Sequence, residues 1–515
     1  MGEIEQWEIP NNWKWAQISE LGKIVAGGTP STKEPTYWGN DINWISPADL
    51  SGYNNKLISK GAKSLSKKGL EKSSAKLMPS GSIHFSSRAP IGYVVISKEK
   101  MSTNQGFKSL VPADGIFNEY VYYFLKSAKQ LAENRASGTT FKELSGKAFS
   151  LLPIPIAPYK EQLRIVAKIE LLFSDLDNGI ENFKKAQEQL KIYRQAVLKK
   201  AFVGELTRKW REEQTGLPSA EELLQQIKEE REKHFQKQLD EWKKAVKEWE
   251  DKGKGGKKPS RPKKPKELPP LSEEGLNELP ELPEVWFWKK IGNICECIVP
   301  NRDKPNSFTG NVKWITTPDL QIDSIRINYS NVEKGLSEME IKKYNAKVIP
   351  LGSVIMTCVG KFGISAIVEK RIVVNQQLHA FLPVNFCYNK YLAYCIQYNK
   401  VFFEKRATST TIQYLNKNNC NSMPFSFCSL QEQHQIVSEI ETRLSVCDKL
   451  EATTAEALQK SEALRQSILK NAFEGKLLSE EELEEARNAP DWEPADKLLE
   501  RIKAEKEKTG NKKSF

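Results

Sequence analysis

The chain has 515 residues, 28% of them charged, with 78 Lys and Arg against 66 Asp and Glu, a formal charge of +12. At roughly 150 residues per domain the length suggests about three domains, and the positive excess points to nucleic acid or an anionic surface rather than an acidic disordered chain. No apolar run reaches the ~18 residues needed to cross a bilayer. Residues 1–15 lack the apolar core of a signal peptide. All eight cysteines lie between Cys295 and Cys447 with no C-x-x-C pair. The expectation is a cytoplasmic protein with reduced thiols.

Taken in chain order, the elements occur twice. Trp13-x-Trp15 recurs as Trp286-x-Trp288, and Trp44-Ile45 with Asp49-Leu50 recurs as Trp314-Ile315 with Asp319-Leu320. From there the offset is constant at 271 residues. It maps Pro79-x-Gly81-Ser82 onto Pro350-x-Gly352-Ser353, Asn104-Gln105 onto Asn375-Gln376, and Glu161-Gln162 onto Glu432-Gln433. It also maps Arg194-Gln195 onto Arg465-Gln466 and Ala201-Phe202-x-Gly204 onto Ala472-Phe473-x-Gly475. The chain is a tandem duplication of one unit, a globular part followed by a helix.

The globular parts, 1–157 and 283–428, hold turn residues and short β-type runs, with helical stretches at 119–129 and 389–405; they read as α+β with the strand order open. In the helical part 158–204 the apolar positions Ile165, Ile169, Leu172, Leu176, Ile180, Phe183, Ala186, Leu190, Tyr193, Val197 and Ala201 step by three or four, an amphipathic seam that Gly204 ends. The second copy, 429–475, opens on the capping-box pattern Ser429-x-x-Glu432 and continues through Ile436, Ile440, Leu444, Cys447, Leu450, Thr454, Ala457, Ser461, Leu464, Ile468 and Ala472, with smaller, more polar residues in its middle. The expected fold is two tandem globular α/β domains separated by two long antiparallel coiled-coil helices, a pseudo-twofold internal repeat. Between the halves, 205–282 holds a charged helix from Ser219 to about Asp251 and a Lys/Gly/Pro linker that reads as a solvated spacer, with contact to DNA phosphates the alternative. In the tail, 476–515, Leu498-Leu499-x-x-Ile502-Lys503 resembles Leu223-Leu224-x-x-Ile227-Lys228.

Catalytic signatures are absent: no phosphate-binding P-loop, no H-E-x-x-H, no G-x-S-x-G and no N-P-P-Y-type tetrapeptide. Pro318-Asp319 with Glu340-Ile341-Lys342 has the form of a nuclease metal site, but the first copy lacks the Glu-x-Lys. The chain is expected to be non-catalytic and to hold no metal or cofactor itself. A Mg-dependent nuclease on Asp319, Glu340 and Lys342, or a purely structural coiled-coil scaffold, are the alternatives.

Charge supports DNA. Residues 1–157 carry 19 basic and 13 acidic side chains, net +6; 283–428 carry 18 and 10, net +8; the span 205–282 carries 18 of each. Reading base edges needs forked donors and acceptors, which Arg, Lys, Asn, Gln, Ser and Thr supply. In the first copy the candidates are Lys33, Tyr37, Ser87, Arg88, Gln105, Lys108, Thr139, Thr140 and Lys142. In the second they are Arg302, Lys304, Lys361, Gln376, Gln377, His379, Thr410, Thr411 and Gln413. Two related readers on one chain suit a bipartite, asymmetric site, where a homodimer would impose a palindrome.

The doubled Trp-Ile…Asp-Leu, Pro-x-Gly-Ser, Asn-Gln and Glu-Gln…Ile-Val…Ile-Glu elements resemble the specificity subunit of type I restriction–modification systems. The Arg-Gln-(Ala/Ser)-(Val/Ile)-Leu-Lys…Ala-Phe-x-Gly endings do so too. The resemblance covers nearly all of the chain, with a join at 234–270 longer than usual. It implies two target-recognition domains reading double-stranded DNA, two long helices between them, and no catalytic site. Two modification subunits using S-adenosylmethionine for adenine methylation, and two restriction subunits using ATP and Mg, are the implied partners. The faces of 160–203 and 431–474, with 219–233 and 494–508, are the implied docking surface.

Overall fold

A computed structural model describes residues 7–138, 142–255, 258–262, 264, 267–300, 304–382, 384–407 and 413–511. The chain divides into two units: residues 1–185 with 454–515, and residues 186–453. It passes between them within the first long helix, Tyr159–Phe202, and again within the second, Leu430–Phe473.

In unit 1 the strands are β1 Lys14–Gln17, β2 Gly22–Ala26, β3 Trp38–Ile45, β4 Leu57–Ile58, β5 Lys63–Leu65, β6 Ile83–Ser87, β7 Ile91–Ser97, β8 Met101–Thr103, β9 Phe107–Pro112 and β10 Pro153–Ile156. They form a five-stranded sheet in the order β2-β9-β6-β7-β4, a three-stranded sheet β5-β3-β8, and the pair β1-β10. The helix Asn118–Ser127 packs its Tyr120, Val121 and Phe124 into the same core as Ile165 and Ile169 of the first long helix. The C-terminal tail completes that core with Ala495, Leu498 and Ile502.

Unit 2 repeats the plan with β11 Phe287–Lys290, β12 Glu296–Ile298, β13 Val312–Ile315, β14 Gly335–Leu336, β15 Val348–Ile349, β16 Val354–Thr357, β17 Ser365–Ile367, β18 Ile372–Val374, β19 Leu378–Leu382 and β20 Pro424–Phe427. The sheets are β12-β19-β16-β17, β14-β13-β18-β15 and the pair β11-β20. Here the helix Ala220–Asp251 plays the part of the tail, placing Leu223 and Ile227 in the core beside Ile436 and Ile440. The short repeat Leu-Leu-x-x-Ile-Lys is therefore one core-filling helix used twice.

Each repeated motif does the same structural work in both units. Glu161 and Glu432 are buried and accept the indole N–H of Trp13 and Trp286 at 2.7 and 2.8 Å. Gln162 accepts from the backbone of Phe117 and donates to Ala157; Gln433 does the same with Tyr388 and Cys428. Both thus satisfy main-chain groups where a globular part meets its helix. Gly81 and Gly352 hold φ of +84° and +78°, which any Cβ would strain. Gly204 and Gly475 end the long helices at φ +77° and +73°. Ser429 does cap the second long helix, but Glu432 turns into the core instead of closing the capping box.

The seam departs from its apolar expectation at two places. Tyr193 is 46% exposed and Arg194, next to it, is 5% exposed; Leu450 and Leu464 point to solvent as well. In unit 2 Arg194 binds Asp448 at 2.5 Å and Glu451 at 3.0 Å, while Thr207 reaches Glu432, so the two helical segments run antiparallel there. In unit 1 Arg465 binds Asp177 and lies 4.6 Å from the Phe173 ring. Arg194 with Asp448 and Arg465 with Asp177 are the same pair at the 271-residue offset, with the two copies exchanging roles.

Candidate nucleic-acid interface

The parallel pairs β3–β8 and β13–β18 bring the repeated Trp-Ile and Asn-Gln elements together. Asn104 N–H donates to Ile45 O at 2.9 Å, and Asn375 N–H to Ile315 O at 3.0 Å. Beyond Ile45 a short turn is capped by Asp49, whose carboxylate accepts from Ser46 N–H and hydroxyl; Asp319 does the same for Thr316. Asn104 and Asn375 cap their own turns by accepting from Gly106 N–H and Gln377 N–H at 2.8 and 3.1 Å. With those side chains committed to the backbone, the neighbouring Gln105, Gln376 and Gln377 are exposed at the turn tips.

In unit 2 this end of the sheet forms a cleft of about 500 Å³, lined among others by Lys304, Trp314, Asp319, Lys334, Gln376 and Gln377. Three sequence candidates, Lys304, Gln376 and Gln377, meet there. Asn331 and Lys334 join them, and nothing in the local sequence singled them out. In unit 1, Thr29 donates to Gln105, and the indoles of Trp44 and Trp38 donate to Gly28 O and Ser31 O, pinning the 28–31 loop beside the turn. Glu143 ties Arg88 and Lys108 at 3.5 and 3.7 Å, next to exposed Lys142. Lys33 is exposed, and Tyr37 lies in an adjoining patch with Lys68 5.8 Å from its ring.

Three candidates, Ser87, Lys108 and His379, are turned into the fold, Lys361 and Gln413 lie on other loops, and others fall outside the described residues. Ser87 is fully buried and donates to Gly106 O at 3.1 Å, holding the turn from beneath. Lys108 is 8% exposed and spends its ammonium on Gln105 O and Glu143. His379 is buried on β19 with Nδ1 3.3 Å from Cys420 Sγ. Lys361 is exposed but lines a different cavity, beside Arg194 and Lys400, and Gln413 is exposed on the loop whose carbonyl accepts from Gly360 N–H. Thr139, Thr140, Arg302, Thr410 and Thr411 lie outside the described residues.

The nuclease-like pattern is built for something else. Asp319 is a turn cap, and Glu340 accepts the backbone N–H groups of Ser337 and Thr309 at 2.8 and 3.1 Å. Hydrogen bonds from Ser307, Ser337 and Thr309 hold the Glu340 carboxyl down at about 2. Both carboxylates are occupied by the fold. Among the described residues no group of three or more His, Cys, Asp and Glu is arranged to hold a metal ion. The eight cysteines are free thiols, all buried.

Residues 10–191 and 283–460 match the family described as the type I restriction modification DNA specificity domain. The chain is 38% identical over 203 residues to the type I restriction enzyme MjaIX specificity subunit of Methanocaldococcus jannaschii, covering 39% of this chain and 46% of that protein. It is 32% identical over 179 residues to the HindI specificity subunit of Haemophilus influenzae, 34% of this chain and 38% of that protein. The chain therefore spans under half the length of these two relatives in each match. A chain from a solved structure on the assembly and conformational transition of the type I R-M system shares the fold, with TM-score 0.61, 17% identity, and coverage of 92% of this chain and 100% of that one. Two matched segments, each ending in a long helix and together making up most of the sequence, show that the chain belongs to the type I restriction–modification DNA specificity family.

Proposed function

We propose that this protein is the DNA sequence-recognition subunit of a type I restriction–modification complex, reading a bipartite, asymmetric site with one globular domain per half. The observation that carries this is the doubled turn: a sheet end whose repeated Asn caps are satisfied internally, leaving Gln105 on one unit and Gln376 and Gln377 on the other exposed. These are forked amides suited to adenine edges. The net +6 of 1–157 and +8 of 283–428 supply the phosphate attraction that such readers need. We assign Lys33, Arg88, Gln105 and Lys142 in the first reader, and Lys304, Gln376, Gln377 and Gln413 in the second, as DNA-facing.

The chain itself does no chemistry in this reading. Adenine methylation with S-adenosylmethionine, and ATP- and Mg-dependent restriction, belong to two modification and two restriction subunits. The modification subunits would dock on the long helices, which present Leu171, Ile192, Val446 and Leu464, each at least half exposed. Among the described residues no helix is long and apolar enough to cross a membrane, and a cytoplasmic location fits the DNA-reading role.

Co-expression with a modification subunit tests the proposal. Methylation-sensitive sequencing is expected to show one bipartite motif, and replacing residues 1–157 by those of a relative is expected to change one half of it only. Change in both halves or neither overturns the modular reading. Cutting of DNA by the purified chain with Mg²⁺ alone would support the nuclease alternative instead.

A further inference from the structure

The charged insert is not a spacer. The helix Ala220–Asp251 leaves the core after Ile227, and Arg231 donates to Asn293 O at 3.2 Å. On the way back, Leu268 N–H donates to the Asn293 side chain at 2.7 Å, and that amide returns a bond to Leu268 O at 3.1 Å. Outgoing and returning chain are thus tied to one residue, so the segment between them spans no distance. It folds as an arm. Phe235, Leu239, Trp242, Val246 and Trp249 step by four and three along the helix and are half-buried. The Trp242 indole donates to Pro259 O at 3.0 Å, and Lys264 binds Glu232 at 2.8 Å.

The return of the arm is basic. Residues 252–266 hold eight Lys and Arg and no acid. Lys252, Lys254, Lys258 and Arg261 are exposed. Arg261 and Lys258 lie 5.9 and 5.8 Å from the rings of Trp242 and Trp249. An indole face orients a cation without neutralising it, leaving its N–H donors for another anion.

We infer that this arm is a second, sequence-independent DNA contact: a row of cations that grips duplex phosphates outside the bases read by the recognition domains. The inference rests on the DNA-reading proposal for its ligand. The cations are concentrated on the returning segment, 252–266, which has no acid of its own, and such a cluster matches the phosphate backbone, which carries one charge per ~1.7 Å of duplex axis. Protein surfaces present mixed signs and fit it poorly.

The test uses the full chain with Lys252, Lys254, Lys258 and Arg261 changed to Gln, measured against salt on a long mixed-sequence duplex. The slope of log affinity on log salt is expected to shrink by about 0.9 per lost contact, about two to four in all, with affinity down roughly tenfold or more at low salt. Lys252→Arg, Lys254→Arg and Lys258→Arg together should retain wild-type slope. Replacing 236–263 by a short glycine turn, which keeps both Asn293 anchors, should reproduce the Gln variant even if that variant folds poorly. An unchanged slope in both loss variants overturns the inference, as does lost binding to the modification subunit with DNA affinity intact. In co-expression the methylated motif should stay the same; absence of any motif in the wild type would instead sink the recognition reading, while the salt slopes still report on the arm.

Discussion

Glu161 and Glu432 occupy equivalent buried positions with different neutralisation. Glu432 accepts from Trp286, Thr207 and the Arg211 guanidinium, each at 2.8 Å. Glu161 accepts from Trp13 and the Asn12 amide, both neutral. Burial pushes the Glu161 carboxyl above its ordinary value, opposed by those hydrogen bonds and by the charge of Arg487. A carboxyl that binds its proton more tightly folded than unfolded contributes stability that is fully present below the unfolded value and is lost as pH rises through the folded one. The melting temperature of Glu161→Gln relative to wild type is therefore expected to rise as the pH is raised above about 4. Glu432→Gln strands the Arg211 charge and should cost about 2–3 kcal/mol by urea unfolding at neutral pH, the larger loss of the two. The same scale explains the misplaced DNA candidates. Ser87 and His379 have side chains suited to base contacts, but strand alternation turns them inward, and a side chain's type does not reveal its face.

At the scale of elements, the long helices were legible because a step of three or four is a local property. The residue in the seam was not always legible. Tyr193 and Arg194 both fit the spacing, and hydrophobicity favours Tyr193; only the acids of the facing helix, Asp448 and Glu451, make Arg194 the better inward choice. Tyr193→Ala is expected to change stability by less than about 0.5 kcal/mol. Ile440→Ala, in the core of unit 2, should cost about 2–5 kcal/mol. Equal effects in a denaturant titration would return Tyr193 to the seam.

At the scale of the whole molecule, unit 1 draws on both chain ends. A chain stopped after Gly475 loses Ala495, Leu498 and Ile502, all buried. At roughly 1.5–3 kcal/mol for each large apolar side chain, Leu498 and Ile502 together contribute about 3–6 kcal/mol, which reaches the lower end of the ~5–15 kcal/mol net stability of a domain. Calorimetry of the truncated chain is expected to show an early transition for unit 1 and an unchanged one for unit 2, whose counterpart helix Ala220–Asp251 is intact. A single unshifted transition would show that the tail is dispensable.

By itself the sequence determined the duplication, the helix periods, the basic charge of the two globular parts and the lack of catalytic signatures, because repeats, spacing and charge are read along one dimension. Tertiary structure alone decided that Glu-Gln pairs anchor tryptophans and backbone, that Asp319 and Glu340 are caps, and that the basic linker doubles back to Asn293. Each depends on which distant groups meet. A chain of polar residues has many partners open to it until packing removes all but one.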